Sequence, residues 1–323
     1  MSNRSDSWTV LPEGVHIRLD QFIAERIPGE SRSQIQNWIR KGYLLVNGEK
    51  TKTGYLTRLN DHISLQLPAP PDDQPHPDPI PLHILYEDSD LAVIDKPAGL
   101  VCHVGAGIRS GTLVNALLYH MGPLDTGDPS RPGIVHRLDK NTSGTMVVAK
   151  NKAAHRALSQ QFKNRSVRKE YLALVFGNPS PAGGTVNIPL GRDPKNRKKI
   201  STTARHSRCA ITNYIVEKQY LPFSLLRIHI ETGRTHQIRV HLAYKGYPIV
   251  GDSVYGAKRR LDFPSDLAAI IKNLDRPFLH SHRLSFNHPR SGQRMTFTSP
   301  LPVELQDFLN RLSRQPASDR RQA

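Results

Sequence analysis

The amino-acid sequence predicts an α+β fold with a mainly antiparallel sheet, divided into a small and a large domain. Apolar segments of strand length outnumber those of helical periodicity, and several follow one another directly, such as residues 209–217 and 224–231. The pattern lacks the regular alternation of strand and helix that indicates a parallel sheet. Between residues 68 and 81, seven of fourteen positions are proline, which excludes a helix and favours an extended spacer.

The proline-rich segment sets the domain boundaries that we expect. Residues 1–14 are polar and are expected to be disordered, and residues 15–67 are expected to form the small domain. Residues 68–81 are the linker, 82–312 the large domain, and 313–323 a disordered tail. A linker of this kind would allow the small domain to bind at a distance from a site in the large domain.

The composition points to a polyanionic partner. The chain has 323 residues, a net charge of +17 and a pI of about 10.1, which favours nucleic acid. A membrane is the other polyanionic surface, but no apolar run approaches the roughly 18 residues of a membrane span. The N-terminus has no apolar segment of signal-peptide type, and two cysteines make no disulfide framework. We expect a cytoplasmic, monomeric protein without a membrane partner.

The small domain has the pattern of two helices followed by a hairpin. Pro28-Gly29 ends the first helix, and residues 31–34 have the spacing of a capping box that opens the second. Gly42 ends the second helix, and Asn47-Gly48 predicts a tight hairpin turn. The side chains that we expect in the core of the two helices are Leu19, Phe22, Ile23, Ile27, Ile35, Trp38 and Ile39.

The large domain begins with two strands, 82–86 and 91–95, and a turn at residues 96–99. Thr112 is a plausible cap for a helix, and the last helix carries apolar residues between positions 303 and 312. Between these helices the apolar pattern predicts strands at 145–150, 169–176, 209–217 and 224–231, with a helix from about 154 to 162 after the first of them.

One polar nonapeptide, His136–Gly144, stands between two short apolar runs. An apolar pair precedes it and residues 146–149 follow it, and runs of this length bounded by turn residues are typical of buried strands. The loop contains one carboxylate, Asp139, with cations at Arg137 and Lys140. From composition alone, an ion-paired surface loop is the simpler interpretation.

This nonapeptide resembles the signature of the RluA family of pseudouridine synthases, in which the Asp of His-Arg-Leu-Asp is the catalytic residue. Three further segments fit the same family in the same order, namely residues 95–100, 169–171 and 232–241. The resemblance extends over nearly the whole chain, from about residue 17 to residue 312. Residues 15–67 are similar to an S4-type RNA-binding domain.

The resemblance implies an isomerase that converts specific uridines of RNA to pseudouridine. The small domain, the linker and the segment 251–256 are similar to the branch that acts on large-subunit ribosomal RNA, especially its RluD-like members. The expected partner is therefore large-subunit ribosomal RNA or a pre-ribosomal particle. Residues 102–105 depart slightly from the usual Val-His-Pro-Gly of that branch, which affects the RNA site and not the chemistry.

Three catalytic residues are carried over from the family. Asp139 is the reacting carboxylate, which either attacks the sugar carbon or removes a sugar proton, and the sequence does not choose between these routes. A carboxylate shielded from water stays ionised only beside a cation, and the resemblance assigns that cation as Arg239. Tyr171 is the ring beneath the target uracil. From the residues alone, Tyr171 is equally a core residue of its strand, and Arg239 a phosphate contact or a surface residue.

Further cations and rings are expected to bind RNA. Arg137 either fills the gap left by a flipped nucleotide or grips its phosphate, with a plain surface ion pair as the alternative. The basic segment 192–199, together with Arg165, Arg168, Arg205 and Arg208, suggests a rim that follows the phosphate backbone. The residues that we expect to bind RNA are Arg32, Lys41, His136, Arg137, Arg234 and His236.

No cofactor or metal is expected. The isomerisation involves no redox step and no phosphate activation, and the sequence has no phosphate-binding glycine motif and no zinc signature. His236 and His241 are five residues apart, so on a helix they face apart, and no cysteine or carboxylate joins them.

A non-catalytic RNA-binding or ribosome-assembly factor on the same fold is the alternative function. A pure binding protein has no need of Asp139, Tyr171 and Arg239 together, which weighs against it.

Overall fold

The computed structural model describes residues 4–27, 30–67, 74–103, 108–196, 199–256, 268 and 271–314. The chain forms two compact units, which divide after residue 73. Within the described residues, no helix has the length and apolar character needed to cross a lipid bilayer.

The first unit packs two helices on an antiparallel sheet. The helices are α1 (Leu19–Ala24) and α2 (Arg32–Lys41). The described strands are β1 (Arg4–Thr9), β2 (Leu44–Val46), β3 (Glu49–Lys50) and β4 (His62–Leu67), in the order β1-β4-β2-β3. The core side chains predicted from helical spacing are all buried here, beside strand residues such as Ile63.

Local sequence signals account for the boundaries of α2 and the hairpin. The Ser31 side chain accepts a hydrogen bond from the Gln34 N–H at 3.3 Å, and Gly42 ends the helix in the left-handed region with φ +73°. Asn47 and Gly48 both have positive φ, as a type I′ hairpin turn requires. The Pro28-Gly29 stop lies outside the described residues.

Strand β1 contradicts the expectation that residues 1–14 are disordered. It pairs along its whole length with β4, from Arg4 opposite Leu67 to Thr9 opposite His62. Pro12–Gly14 then form a 3-10 turn. The strand is polar, and its stability comes from backbone pairing at a sheet edge and from half-buried Trp8, which packs on the core. Polar alternation of this kind gives little signal in a hydrophobicity pattern.

The linker prediction is also corrected in part. Residues 68–73 lie outside the described residues, but residues 74–81 belong to the second unit. The Asn115 side chain donates to the His76 carbonyl at 2.7 Å, and the Asp78 N–H donates to the Asn115 carbonyl at 3.0 Å. Extended proline-rich backbone has no internal hydrogen bonds, so its polar groups are free to bond to a neighbouring helix. Residues 74–81 are therefore held by hydrogen bonds against the helix that contains Asn115.

A long, mainly antiparallel sheet forms the second unit, as predicted. Within the described residues, its order is β5-β6-β7-β15-β8-β14-β13-β9, with β16 also paired to β15, and all pairs are antiparallel except β7 with β15. A small three-stranded sheet has the order β11-β10-β12. The strands are β5 (His83–Glu87), β6 (Leu91–Lys96), β7 (Ser143–Ala149), β8 (Arg168–Phe176), β9 (Gly183–Asn187), β10 (Leu190–Arg192), β11 (Ile200–Ser201), β12 (Ser207–Arg208), β13 (Ile211–Tyr220), β14 (Phe223–Ile230), β15 (Leu279–Asn287) and β16 (Arg294–Thr298).

Helices cover both faces of this sheet. Ala154 and Leu158 of α4 (Lys152–Lys163) pack with odd-numbered strand residues such as Val93 and Val147. The opposite face, with even-numbered residues such as Ile94, packs on the other helices. These are α3 (Leu113–Met121), α5 (Gln237–Tyr244) and the C-terminal helix Val303–Arg314. Strands buried on both sides explain the continuous apolar runs in the sequence.

The expected disordered tail, residues 313–323, falls mostly outside the described residues. Ser313 and Arg314 are the end of the C-terminal helix, which extends the predicted folded region by two residues.

Candidate active site

A buried lysine, Lys96, fixes the loop that carries Asp139. Lys96 is fully buried, and its ammonium donates to the carbonyls of Pro97 at 2.7 Å, Leu100 at 2.9 Å and Lys140 at 3.2 Å. Burial lowers the pKa of Lys96 to about 8. Because three carbonyls satisfy its three protons, the lysine joins the turn after β6 to the Asp139 loop.

The far end of the loop is fixed by close backbone packing. Gly144 has φ +115°, and a Cβ at this position would lie 2.2 Å from the Ser281 carbonyl oxygen on β15. Glycine is therefore required where β7 and β15 pair. The Arg276 guanidinium donates to the Asn141 carbonyl at 3.4 Å and to the Ser143 hydroxyl at 3.1 Å. The Asp139 side chain thus projects from a rigid loop.

Arg239 of α5 reaches Asp139 across one hundred residues of sequence. Its Nη1 donates to Asp139 Oδ2 at 3.3 Å, and the Asp139 side chain is 16% exposed. The same guanidinium binds Asp252 with two hydrogen bonds, from Nε at 2.6 Å and from Nη2 at 2.9 Å. These two hydrogen bonds fix the plane of the guanidinium group, so that Nη1 points at Asp139.

Asp252 is almost completely enclosed, with 1% of its side chain exposed. The N–H groups of Val254 and Tyr255 also donate to it, at 2.9 and 3.1 Å. Burial alone would raise the pKa of Asp252, but the hydrogen bonds and charge of Arg239 lower it below its usual value. Asp252 is therefore a permanent anion that anchors the arginine.

His236 lies beside the pair with a defined orientation. It precedes α5 with a left-handed backbone, φ +55°, and its Nε2 is 4.0 Å from Asp139 Oδ2. Its Nδ1 is 2.8 Å from the Tyr255 hydroxyl, which itself accepts from the Ile200 N–H at 2.9 Å. These contacts orient the ring of His236, with Nδ1 toward Tyr255 and Nε2 toward Asp139.

Tyr171 forms part of the same cavity from strand β8. It is 6% exposed, and burial raises the pKa of its phenol, so the ring is neutral in the physiological range. The cavity measures about 470 Å³, and its wall includes Asp139, Tyr171 and Arg239 together. These three residues come from a loop, a strand and a helix that are distant in sequence.

Four of the residues expected to bind RNA line this cavity. They are His136, Arg137, Arg234 and His236. His136 also has a structural contact, since its Nε2 accepts the Val147 N–H at 3.1 Å and its ring stacks on Phe162 at 4.5 Å. Burial lowers the pKa of His136 to about 3, so the ring is neutral.

Arg32 and Lys41 lie on α2 of the first unit. Arg32 donates to the buried Asp20 carboxylate at 3.2 Å while its side chain remains 55% exposed. The Lys41 ammonium lies 5.9 Å from the centre of the Tyr43 ring. Arg32 is the first residue of α2 and Lys41 is the last, so the two cations lie at opposite ends of the helix. Arg32 is oriented by Asp20, and Lys41 lies near the Tyr43 ring.

Histidines and acids elsewhere have local partners. His241 is buried, with Nδ1 2.9 Å from the Thr212 hydroxyl and Nε2 2.9 Å from the Ile188 carbonyl, so both ring nitrogens have partners. Asp88, Asp90 and His288 have ligand atoms within 4.8 Å of one another, away from the cavity. His288 bonds to Asp88 at 2.9 Å and Arg290 to Asp90 at 2.7 Å, so these charges are already compensated.

Three residues of the site were not predicted from sequence. Asp252 and Tyr255 belong to the segment 251–256, which carried the resemblance but had no assigned role. Lys169 lines the cavity and stands two positions before Tyr171 on the same strand face. Alternation along β8 was the available signal, because residues two apart in a strand share a face.

Comparisons with known proteins show to which family this chain belongs. A family model described as RNA pseudouridylate synthase matches residues 90–244, and an S4 domain model matches residues 17–63. The ribosomal large subunit pseudouridine synthase D of Xanthomonas campestris is 40% identical over 93% of this chain and 90% of its own length. The uncharacterized RNA pseudouridine synthase YlyB of Bacillus subtilis is 39% identical over 91% of this chain and 94% of its own length.

A solved structure is similar in fold. The human RNA pseudouridylate synthase domain containing 4 has a TM-score of 0.55 and 27% identity, over 72% of this chain and 93% of that one. The sequence relatives cover both units, and the family match spans the Asp139 loop, β8 and α5. This chain therefore belongs to the RNA pseudouridine synthases, a family of isomerases, and carries an N-terminal S4 domain.

Proposed function

We propose that this enzyme isomerises uridines of large-subunit ribosomal RNA, with Asp139 as the group that reacts at the sugar. The observation that carries the proposal is the Asp139–Arg239 pair at 3.3 Å on the wall of a cavity that Tyr171 also lines. The choice of RNA rests on the relatives named ribosomal large subunit pseudouridine synthase D. A net charge of +17 favours a large polyanion of this kind.

Asp139 has the setting that the reaction requires. The bond between the base nitrogen and the sugar must break, and the base must rejoin through carbon, so atoms are neither added nor removed. One carboxylate is sufficient, either as a nucleophile at the sugar carbon or as a base toward a sugar proton, and we expect no cofactor. Arg239 places a positive charge and a hydrogen-bond donor 3.3 Å from Oδ2 of this carboxylate.

The cavity is suited to a single nucleotide removed from its stack. Its volume of about 470 Å³ lies in the range of about 300–1,000 Å³ typical of small-molecule sites. A uridine inside folded RNA must therefore turn outward to enter. In our proposal Tyr171 stacks on the uracil, and Arg137, which is exposed beside Asp139, contacts the RNA from which the base has left.

Replacement of Asp139 by asparagine tests the proposal. We expect the wild type to form pseudouridine in unmodified large-subunit ribosomal RNA, and Asp139→Asn to form none while binding the RNA with similar affinity. Pseudouridine is mapped at nucleotide resolution after incubation with each purified protein. Lys245→Met, at an exposed lysine of the second unit outside the cavity wall, is the control and should retain activity.

Two outcomes contradict the proposal in different ways. Pseudouridine formed by Asp139→Asn at the wild-type rate would exclude Asp139 as the reacting group. RNA binding by both proteins without product from either would favour a non-catalytic assembly factor.

A further inference from the structure

Lys169 places a cation on the wall of the active-site cavity from a largely buried side chain. It is 8% exposed and lines the active-site cavity from strand β8. Within the described residues, its ammonium forms no hydrogen bond and no ion pair. Lys96 shows the contrast, since that buried ammonium donates to three carbonyls. The Lys169 side chain is largely buried, but its ammonium is not an enclosed atom and faces the open space of the cavity, where a ligand can bind it.

The surroundings of Lys169 increase its excess of positive charge. Burial, together with the charges of Arg165 and Arg234, lowers the pKa of Lys169 to about 8. Both arginines line the cavity. The neighbouring Glu170 gives no compensation, because it points to the opposite face of β8 and bonds to Arg227.

The acids on the cavity wall have other partners. Asp139 is paired with Arg239 at 3.3 Å. Glu231 is exposed and accepts a hydrogen bond from Asn213 at 3.3 Å. Among the described residues, the corner formed by Lys169, Arg165 and Arg234 therefore has cations only.

We propose that Lys169, Arg165 and Arg234 form a subsite for a backbone phosphate of the RNA, next to the nucleotide that enters the cavity. The inference rests on the proposed function, because it takes RNA to be the substrate of this cavity. A phosphodiester supplies negative charge and acceptor oxygens to three cations that line the same cavity and repel one another. A uracil carbonyl is neutral and would leave most of this charge uncompensated.

The spacing along β8 fits one nucleotide. Lys169 and Tyr171 are two residues apart on the same face, so their Cα atoms are separated by roughly 6.6 Å. A base on the Tyr171 ring and a phosphate on Lys169 are then in contact at the same time. The subsite would fix the sugar between them, close to Asp139.

Binding of uridine 5′-monophosphate and of uridine, measured by calorimetry or NMR titration, tests the subsite. We expect the wild type to bind the monophosphate about tenfold more tightly than the nucleoside. In Lys169→Met this preference should disappear, and in Lys169→Arg it should persist. Lys245→Met, at an exposed lysine of the second unit that does not line the cavity, is the control, and there the preference should be unchanged.

Thermal unfolding separates a ligand site from a structural role. Because Lys169 has no partner among the described residues and is repelled by Arg165 and Arg234, Lys169→Met should keep or raise the Tm while it weakens phosphate binding. A lower Tm in Lys169→Met together with an unchanged preference for the monophosphate would overturn the subsite.

The test is independent of the chemistry. Asp139→Asn should retain the full preference for the monophosphate, since binding needs no reaction. If the preference is present and depends on Lys169 but no pseudouridine forms in ribosomal RNA, the subsite stands and the proposed function fails. If ribosomal RNA is modified equally well by Lys169→Met and wild type, with the same KM, the subsite fails alone.

Discussion

Arg239 binds two carboxylates, Asp252 and Asp139, which differ in exposure and in their number of hydrogen bonds to the guanidinium. We interpret Asp252 as the anchor of the arginine and Asp139 as the group proposed to react. Asp252 takes two hydrogen bonds and is 1% exposed, whereas Asp139 takes one at 3.3 Å and is 16% exposed. The anchor therefore fixes the guanidinium, and the weaker contact leaves Asp139 with free oxygen lone pairs toward the cavity. A carboxylate gripped by both arginine nitrogens would be less available to a sugar.

Loss of the anchor charge should impair catalysis through Arg239. Asp252→Asn keeps the shape but removes the anion, so the arginine is free to turn and to pair fully with Asp139. We expect kcat to fall about 10- to 100-fold with a smaller change in KM. Steady-state isomerisation of ribosomal RNA measures this.

A stability effect of Asp252→Asn must be separated from the effect on catalysis. Asp88→Asn is the control, because Asp88 is also held by several hydrogen bonds in the second unit but lies away from the cavity. Both variants should lower the Tm, and only Asp252→Asn should lower kcat. Equal kcat values in the two variants would remove Asp252 from the catalytic arrangement.

The residues that sequence reasoning found and missed differ in how their roles arise. Asp139 has a recognisable motif, and its pairing with Arg239 was expected through the family resemblance alone, since one hundred positions separate them. Lys169 and Asp252 are present in the sequence, but their roles depend on which residues the fold places beside them. A missing partner is a property of tertiary structure, and no local pattern encodes it.

Among the elements, predictability followed the strength of local signals. Helix α2 has a cap, an apolar stripe and a terminal glycine, and the structure contains it with those boundaries. Strand β1 has none of these, and its pairing with β4 is set by the partner strand. The docked half of the proline segment was missed for the same reason, because its hydrogen bonds come from Asn115.

Asp20 connects the two helices of the first unit and should make its stability depend on pH. It is fully buried on α1 and accepts hydrogen bonds from Arg18, Arg32 and Gln36. Burial opposes its ionisation, but these bonds lower the pKa of Asp20 from 3.8 to about 2. A carboxylate with a depressed folded-state pKa stabilises the protein above its unfolded value, and this contribution is lost as the pH falls.

An acid titration of the full chain checks this expectation. Both tryptophans, Trp8 and Trp38, lie in the first unit, so their fluorescence reports its unfolding. The unit should lose stability between about pH 4 and pH 2. Asp20→Asn should be less stable at neutral pH and should show a smaller loss over that interval. Identical profiles of stability against pH for Asp20→Asn and wild type would show that Asp20 does not stabilise the contact between the two helices.

The residues that we propose for catalysis all lie in one unit. Asp139, Tyr171 and Arg239 all belong to the second unit, and Arg32 and Lys41 belong to the first. In our proposal, chemistry and part of the RNA affinity are therefore carried by separate parts of the chain. Two linked binding units raise affinity through effective concentration when both engage one RNA.

Removal of the first unit should consequently weaken binding and spare the chemical step. A protein that begins at residue 74 is expected to keep kcat within about threefold of the full chain, with KM raised about 10- to 100-fold. The slope of log affinity against log salt should also become shallower, because fewer phosphates are neutralised. Isomerisation of ribosomal RNA at several salt concentrations gives kcat, KM and this slope together, and circular dichroism shows whether the shortened protein is folded. A folded fragment with unchanged KM and an unchanged slope would mean that the S4 unit contributes nothing to RNA capture, and that the cavity and its basic wall bind the RNA by themselves.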